Sequence, residues 1–153
     1  MADEAERVGE TGGVIEREVR IAASPEIVFE LLTDAEQYVR WKGRKARLDA
    51  RPGGEFWVEI SDVAIAAGEY VEVDPPRRVV FTWGWEGNDA VPPGSSTVEV
   101  TLEADGDGTI LRLLHRDLPE PAVADHAHGW DLYLSRLIEV GAGKDPGPDP
   151  NSG

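Results

Sequence analysis

The stretch VVFTWGW, Val79–Trp85, carries the pattern from which the fold of this 153-residue chain is best argued. Phe81, Trp83 and Trp85 occupy every second position of it. Because side chains alternate between the two faces of a β-strand, the three rings are expected to point the same way. The pattern predicts a strand with one aromatic face. It leaves two interpretations open, an ordinary hydrophobic core or the wall of a ligand cavity.

Apolar residues alternate with polar ones in five other segments of the chain. Glycine, proline and aspartate turns separate these segments at the spacing of an antiparallel sheet. The segments are VIEREVRIA, GGEFWVEIS, GEYVEV, STVEVTLEA and TILRLLHR. Together with the opening stretch they predict an antiparallel sheet of about six to seven strands, and a sheet of this size tends to curl.

Two polar side chains are expected on the inward face of this sheet. His115 shares a strand face with Leu111 and Leu113, because the three residues are two positions apart. Glu69 shares a face with Val71 for the same reason. An imidazole at the wall of an apolar cavity can bind a ligand or act as an acid or base, but it is also a common core residue bonded to a backbone carbonyl. A buried carboxylate needs a partner, so Glu69 either pairs with His115 or lies at the rim in water.

Two short helices are predicted after the first strand. Ser24 as the N-cap and Pro25 as the first helical residue begin a helix that should run through Leu32. Thr33 and Glu36 have the spacing of a capping box, which predicts the second helix. The inward side of the first helix is expected to carry Ile27, Val28, Leu31 and Leu32.

The last helix is predicted to be long and amphipathic. Pro121 favours a helix start, and a helix over Val123–Val140 would be roughly 27 Å long. The apolar stripe consists of Val123, Ala127, Trp130, Leu134, Leu137 and Gly141, whereas Asp125, Asp131, Arg136 and Glu139 fall outside it. The apolar face of the sheet needs a cover, and this helix is the only predicted segment large enough. We therefore expect an α+β fold with the helix on the concave face of the sheet.

Composition excludes several classes of protein. The formal charge of −15, from 30 acidic and 15 basic residues, disfavours nucleic acid as a partner. Without cysteine there is no disulfide framework, thiol nucleophile or thiolate metal site. The start of the chain is polar and no apolar run is long enough to span a bilayer, so we expect a cytoplasmic protein without a membrane span. No phosphate loop, dinucleotide fingerprint or nucleophile elbow is present.

The folded part is expected to be one domain, residues 14–141, between two disordered tails. Residues 1–13 are polar and contain glycine. Residues 142–153 include the string GKDPGPDPNSG, which is rich in proline and glycine and has nothing apolar to bury.

Three charged segments have features of a ligand site. Six of the 15 basic residues crowd into Arg40–Arg51, which is either a solvated surface or a site for an anionic ligand. His126 and His128 are two positions apart on a helix, so their side chains diverge by about 200° and cannot share a metal ion. The string DGDGT lacks most ligands of a calcium loop and predicts a hairpin turn. No metal site and no cofactor are therefore predicted.

Five strings of sequence, in a fixed order, carry a family resemblance. They are REVRIAASPEIVFELLTD, RPGGEF, GEYVEVDPPRRVVFTWGW, STVEVTLEADGDGTILRLLH and HAHGWDLYLSRL. Together they resemble the SRPBCC/START-like (helix-grip) superfamily, and within it the activator of heat-shock protein 90 ATPase homologue-like family. The resemblance implies a helix-grip fold with a hydrophobic cavity between sheet and helix, and usually no bound metal or prosthetic group. It implies no single activity, because members include carriers, cyclases, hydrolases and co-chaperone domains.

We expect a non-catalytic domain that binds a small hydrophobic molecule between the sheet and the last helix. Small-molecule sites generally have an apolar lining with a few polar groups. Dense packing of the same rings against one another is the competing account. The expected lining is Trp41, Phe56, Val58, Phe81, Trp83, His115, Trp130 and Leu134.

Two alternatives belong to other classes. The first is a cyclase- or hydrolase-like enzyme in which His115 and Glu69 act as acid and base, which requires the two side chains to be within hydrogen-bond reach. The second is a co-chaperone-type interaction domain with a chaperone partner, which predicts an exposed apolar patch rather than an internal one.

Overall fold

The computed structural model describes residues 9–11 and 13–152, with side chains from residue 13 onward. Residues 1–8, 12 and 153, which belong to the two predicted tails, lie outside the described residues. The strands are β1 (Gly9–Thr11), β2 (Val14–Ile21), β3 (Lys45–Leu48), β4 (Glu55–Glu59), β5 (Ile65–Asp74), β6 (Arg78–Trp83), β7 (Ser96–Asp105) and β8 (Gly108–Arg116). The helices are α1 (Pro25–Thr33), α2 (Ala35–Tyr38) and α3 (Val123–Gly141).

The strands form one antiparallel sheet in the order β1-β2-β8-β7-β6-β5-β4-β3. The predicted helix-grip α+β class is confirmed. In the described part of the chain the sheet has eight strands, more than the predicted six to seven, because short strands lie at both edges. One of these edge strands, β3, lies within the basic segment Arg40–Arg51 and pairs with β4.

The inward face of the sheet forms the core together with α1, α2 and α3. Phe81 of β6 is 3% exposed, and its ring stacks on Phe56 of β4 at 4.2 Å between centroids. Trp83 is 2% exposed and lies 5.9 Å from Trp130 of α3, again between ring centroids. The period of two in the opening stretch therefore predicts the buried face of β6 correctly.

Strand β5 contains a β-bulge that changes which residues face inward. Tyr70 pairs with Phe81 and Glu72 pairs with Val80, so Val71 is an extra residue in the ladder. Val71 is 51% exposed and Glu69 is exposed, whereas Tyr70 is fully buried. The prediction that Glu69 and Val71 face inward is wrong, because one extra residue inverts the alternation on its N-terminal side.

The two short helices begin close to the predicted residues. The Ser24 hydroxyl accepts a hydrogen bond from the Ile27 N–H, which confirms the first N-cap. Ile27 itself is 52% exposed, and Phe29 is buried in its place. The second helix is capped by the Asp34 carboxylate and not by Thr33, which is the last residue of α1.

Helix α3 packs across the sheet with the predicted apolar stripe inward. A short 3₁₀ turn, Glu120–Ala122, precedes it. A Cβ on Gly141 would lie 2.3 Å from the Ile21 side chain, so glycine allows the close approach of α3 to β2. Tyr133 and Arg136 are also buried, although Arg136 is predicted outside the stripe. None of the helices in the described residues has the length and apolarity needed to cross a membrane.

The C-terminal segment, residues 142–152, packs back on the domain, in contrast to the disordered tail expected there. The guanidinium of Arg136 donates hydrogen bonds to the carbonyls of Trp41 at 2.8 Å and Gly147 at 2.7 Å. Asp149 is 5% exposed and accepts a hydrogen bond from the Gly43 N–H at 2.7 Å. Polar contacts hold this segment against the domain. Its lack of apolar residues therefore gave no indication that it packs. The limits of the domain, residues 14–141, stay a prediction.

Candidate ligand-binding cleft

A cleft of about 670 Å³ opens where α3 crosses the end of β6. Its volume lies within the roughly 300–1,000 Å³ of small-molecule pockets. We call it the tryptophan cleft. Its lining includes Trp83, Trp85, Trp130, Tyr133, His126, Gly129, Asp125, Lys42, Asn88, Val91 and Asn151.

Three indole rings form one side of the tryptophan cleft. The centroids of Trp83 and Trp85 are 5.2 Å apart at an interplanar angle of 80°, and Trp130 lies 5.9 Å from Trp83. Trp85 follows β6 and forms a bridge with Ala66, so the alternation continues beyond the strand. Trp85 is half-buried, and its ring is therefore accessible from the cleft.

The loop after β6 forms the outer wall. Gly84 has its backbone against this loop, and a Cβ there would lie 1.7 Å from the Pro92 carbonyl oxygen. Only glycine allows this approach. The side chain of Asn88 accepts hydrogen bonds from the N–H groups of Ala90 and Val91, which shapes the turn of the loop.

His126 of α3 orients the ring of Trp85. Its Nδ1 lies 2.8 Å from the Ala122 carbonyl oxygen, so Nδ1 carries the proton and donates. Its Nε2 accepts a hydrogen bond from the Trp85 indole N–H at 2.9 Å. Burial lowers the pKa of His126 from its ordinary value. Within the described residues no group of three or more His, Cys, Asp or Glu side chains could hold a metal ion.

His115 faces inward, as predicted, and is fully buried. Its Nδ1 accepts from the Trp130 indole N–H at 3.0 Å, and its Nε2 lies 2.8 Å from the Ser96 hydroxyl. Because an indole can only donate, the neutral ring carries its proton on Nε2 and donates to Ser96, which donates to the Trp83 carbonyl at 2.8 Å. Desolvation by burial lowers the pKa of His115 to about 3, and His126 and Lys42 add to the effect.

The predicted pair of His115 and Glu69 is not formed. Glu69 is exposed, on the N-terminal side of the bulge in β5, while His115 is fully buried. Both ring nitrogens of His115 are already hydrogen-bonded to Trp130 and Ser96. The acid/base constellation on which the enzyme alternative rested is therefore absent.

The predicted lining divides into two groups. Trp83 and Trp130 line the tryptophan cleft. The other six residues do not line it and belong to the core: Trp41, Phe56, Val58, Phe81, His115 and Leu134. The sequence pattern identifies the buried face of the sheet, but it cannot tell packed rings from rings beside a cleft.

Three of the four arginines of the basic segment pair with neighbouring carboxylates on the surface, and the fourth, Arg40, donates to the Gln37 side-chain oxygen. Arg44 pairs with Glu59 at 2.8 Å, and Arg51 pairs with Asp49 at 2.8 Å. Arg47 pairs with Glu55 at 3.1 Å. These contacts favour the interpretation of a solvated surface for the arginines.

Lys42 is the member of the basic segment that turns inward. It is 3% exposed, and its Nζ lies 4.2 Å from the ring centroid of Trp83, 4.3 Å from that of Trp130 and 4.9 Å from that of Tyr133. Sequence reasoning missed its role, since it stands outside the periodic elements. Its position directly after the buried Trp41 is the only local signal that could have indicated it.

An antiparallel sheet that grips one long helix, with an aromatic cleft where the two meet, defines a helix-grip domain. The chain belongs to the family described as Activator of Hsp90 ATPase homolog 1-like protein, whose profile matches residues 22–141. The predicted family is therefore confirmed.

Solved structures agree with this assignment. An AHSA1-like protein from Rhizobium etli is 47% identical, with a TM-score of 0.72 over 92% of this chain and 88% of that chain. An HSP90 activator from Plasmodium falciparum is 26% identical, with a TM-score of 0.70 over 86% of this chain and 97% of that chain. DynU16, a protein in the dynemicin biosynthetic locus, is 25% identical, with a TM-score of 0.75 over 88% of this chain. This chain spans 49% of DynU16, about half its length. A search of the curated proteins gave no match.

Proposed function

We propose that the protein binds a small, uncharged aromatic molecule in the tryptophan cleft. The observation that carries the proposal is the set of three indoles, Trp83, Trp85 and Trp130, on a cleft of about 670 Å³. Aromatic rings bury a large apolar area, and ring pairs add about 0.5–1.5 kcal/mol beyond that burial. A ligand of two fused rings is expected to bind with a Kd on the order of 1–100 μM.

Gly129 provides a direct test, because it lies on α3 in the cleft wall and a Cβ there would meet no atom within 4 Å. Gly129→Leu should fill the cleft without a clash at Cβ. The probe is N-phenyl-1-naphthylamine, an uncharged dye whose fluorescence rises in apolar sites. We expect Gly129→Leu to weaken its binding by at least about tenfold through loss of buried contact area.

Gly129→Ala is the matched control. It adds a single methyl group and is expected to change the Kd of the dye by less than about threefold. Both substitutions replace a glycine inside a helix, so each should raise the free energy of unfolding by about 0.5–1 kcal/mol. The stability measurement excludes unfolding as the cause of weaker binding. Dye binding by Gly129→Leu with the Kd of the unsubstituted protein would refute the proposal.

A chaperone partner is a second candidate, favoured by the family description and by the similarity to the Plasmodium falciparum HSP90 activator. The large apolar side chains exposed among the described residues are Ile27 of α1, Val71 of β5 and Val63 in the loop between β4 and β5. The test is the ATPase rate of a purified Hsp90 with and without the protein. An unchanged rate would remove this candidate. The cytoplasmic location stays a prediction.

A further inference from the structure

Lys42 is a feature of the tryptophan cleft that the binding of an apolar molecule does not explain. The turn that carries it is fixed on both sides. The Lys42 N–H donates to the Tyr38 carbonyl at 3.1 Å, and the N–H of Gly43, at φ +78°, donates to the Asp149 carboxylate at 2.7 Å. These two backbone contacts fix where the side chain enters the cleft.

The amine of Lys42 has no hydrogen-bond or ion-pair partner within the part of the chain that the structure describes. The ring faces of Trp83, Trp130 and Tyr133 surround it instead. Asp149 acts on it only through its charge, since its carboxylate accepts hydrogen bonds from Gly43 and Tyr133. Nζ is not one of the sealed side-chain atoms without a partner, which in the described residues are the Tyr38 hydroxyl, the Tyr70 hydroxyl and Trp83 Nε1. The amine therefore reaches the open cleft, where a ligand atom can be its partner.

Burial also changes the protonation of this amine. Desolvation lowers the pKa of Lys42 from 10.5 to about 7, against the opposing charge of Asp149. A much larger fraction of the amine is then neutral at pH 7 than in an ordinary lysine, of which about 0.03% is neutral. A desolvated neutral lysine is a nucleophile towards carbonyl carbon.

We propose that Lys42 forms a reversible imine with an aromatic aldehyde or ketone held in the tryptophan cleft. This inference rests on the proposed function, because the same three indoles would hold the ring of the carbonyl compound. It adds the chemical class of the ligand and a covalent bond to one residue.

The reaction needs no other reagent. The lone pair of the amine nitrogen forms a bond to the carbonyl carbon, and the C=O π electrons move to oxygen, which receives a proton from nitrogen. The carbinolamine nitrogen expels the hydroxyl group, which takes up a proton and leaves as water, and the iminium nitrogen returns one proton to water. The net products are a neutral imine and one water molecule, and the low polarity of the site favours the neutral form. Hydrolysis reverses the same steps.

A carboxylate ligand fits the cleft less well than a neutral carbonyl compound. The chain has a formal charge of −15, and Asp125 lies in the lining. An anion would have to approach through this negative field, and it would need a charged amine, which desolvation disfavours. A neutral carbonyl compound requires neither.

The test is reductive trapping with 2-naphthaldehyde and cyanoborohydride at neutral pH, followed by peptide mapping. The chain has only three lysines, Lys42, Lys45 and Lys144, so each site can be followed separately from the α-amino group. We expect a single naphthylmethyl group on Lys42, formed at least about tenfold faster than on Lys45 or Lys144 because of its larger neutral fraction. Equal rates at the three lysines would overturn the inference.

A second variant keeps Lys42 and changes its surroundings. Asp149, His115 and His126 interact with this amine through charge. The ring of Tyr133 lies beside it, and Asp125 and His128 line the same cleft. Asp149 raises the pKa of Lys42, so Asp149→Asn should lower it and move the pH midpoint of Lys42 labelling below that of the unsubstituted protein. An unmoved midpoint in a folded Asp149→Asn variant would count against the inference. Lys45→Arg is the control and should leave labelling of Lys42 unchanged.

2-Naphthalenemethanol, which has the same rings without a carbonyl group, separates the two proposals. If it binds and Gly129→Leu blocks it, but the aldehyde gives no Lys42 adduct, the inference fails and the proposed function stands. If neither compound binds the unsubstituted protein, both proposals fail.

Discussion

The imidazole of His115 is held by two side chains that fix its protonation. Trp130 can only donate to Nδ1, so protonation of that nitrogen would break a buried hydrogen bond and place a charge in the core. The ring is therefore neutral at physiological pH and connects α3 to β7 and β8. His115, a candidate acid or base from the sequence, is therefore a neutral, hydrogen-bonded residue of the core.

The pKa of His115, about 3, predicts how stability depends on pH. An unfolded histidine titrates near about 6.5, so the unfolded state takes up a proton first and the folded state loses stability as pH falls from there towards 3. The loss from this one group is at most about 1.4 kcal/mol per pH unit. Urea unfolding at about pH 7 and pH 5 should show a larger loss for the unsubstituted protein than for His115→Gln.

Imidazole ¹⁵N shifts provide the direct check on the same residue. They should report a neutral His115 ring, protonated on Nε2, throughout this pH range. A ring that titrates near about 6.5 would contradict the account, because a solvated histidine behaves in this way.

At the scale of elements, the C-terminal segment completes the tryptophan cleft. Asn151 lies in the lining, and its N–H donates to the Asp149 carboxylate at 2.7 Å. The Tyr133 hydroxyl donates to the same carboxylate at 2.9 Å. Arg136 connects this segment to the turn before β3 through its bond to the Trp41 carbonyl. One buried guanidinium therefore links three parts of the chain.

Arg136→Met tests this role. It should leave the carbonyls of Trp41 and Gly147 without their donor and lower the free energy of unfolding by about 1–3 kcal/mol. We also expect faster limited proteolysis within residues 142–152, measured by mass spectrometry. Glu139→Gln, at an exposed position of α3, is the control and should change neither quantity. Unchanged proteolysis of Arg136→Met would show that the segment does not depend on this residue.

Sequence periodicity predicts the elements that bury one continuous face. The alternation in β2, β4, β6, β7 and β8 and the stripe of α3 follow directly from that burial. The bulge at Val71 leaves no mark in composition, so the alternation placed Glu69 and Val71 on the wrong face of β5. The C-terminal segment and Lys42 escaped detection for another reason, because hydrogen bonds and ring faces hold them rather than apolar burial.

At the scale of the whole molecule, the sheet and α3 enclose a core that is densely packed at its centre and opens to solvent at the tryptophan cleft. Phe56 and Phe81 fill the centre by stacking, and the indoles lie where α3 leaves the sheet. Surface arginines are paired with carboxylates, as in the contacts of Glu99 with Arg78 and Arg116. The tryptophan cleft thus differs from the rest of the surface by its rings and its single buried amine.

The indole N–H signals of the five tryptophans test the central claim directly, in ¹H–¹⁵N spectra recorded during titration with N-phenyl-1-naphthylamine. The account predicts shifts for the three tryptophans of the cleft, Trp83, Trp85 and Trp130. Trp41, bonded to the Leu31 carbonyl, and Trp57, bonded to the Glu86 carboxylate, should not move. Shifts confined to Trp41 or Trp57, or no shifts at saturating dye, would contradict it.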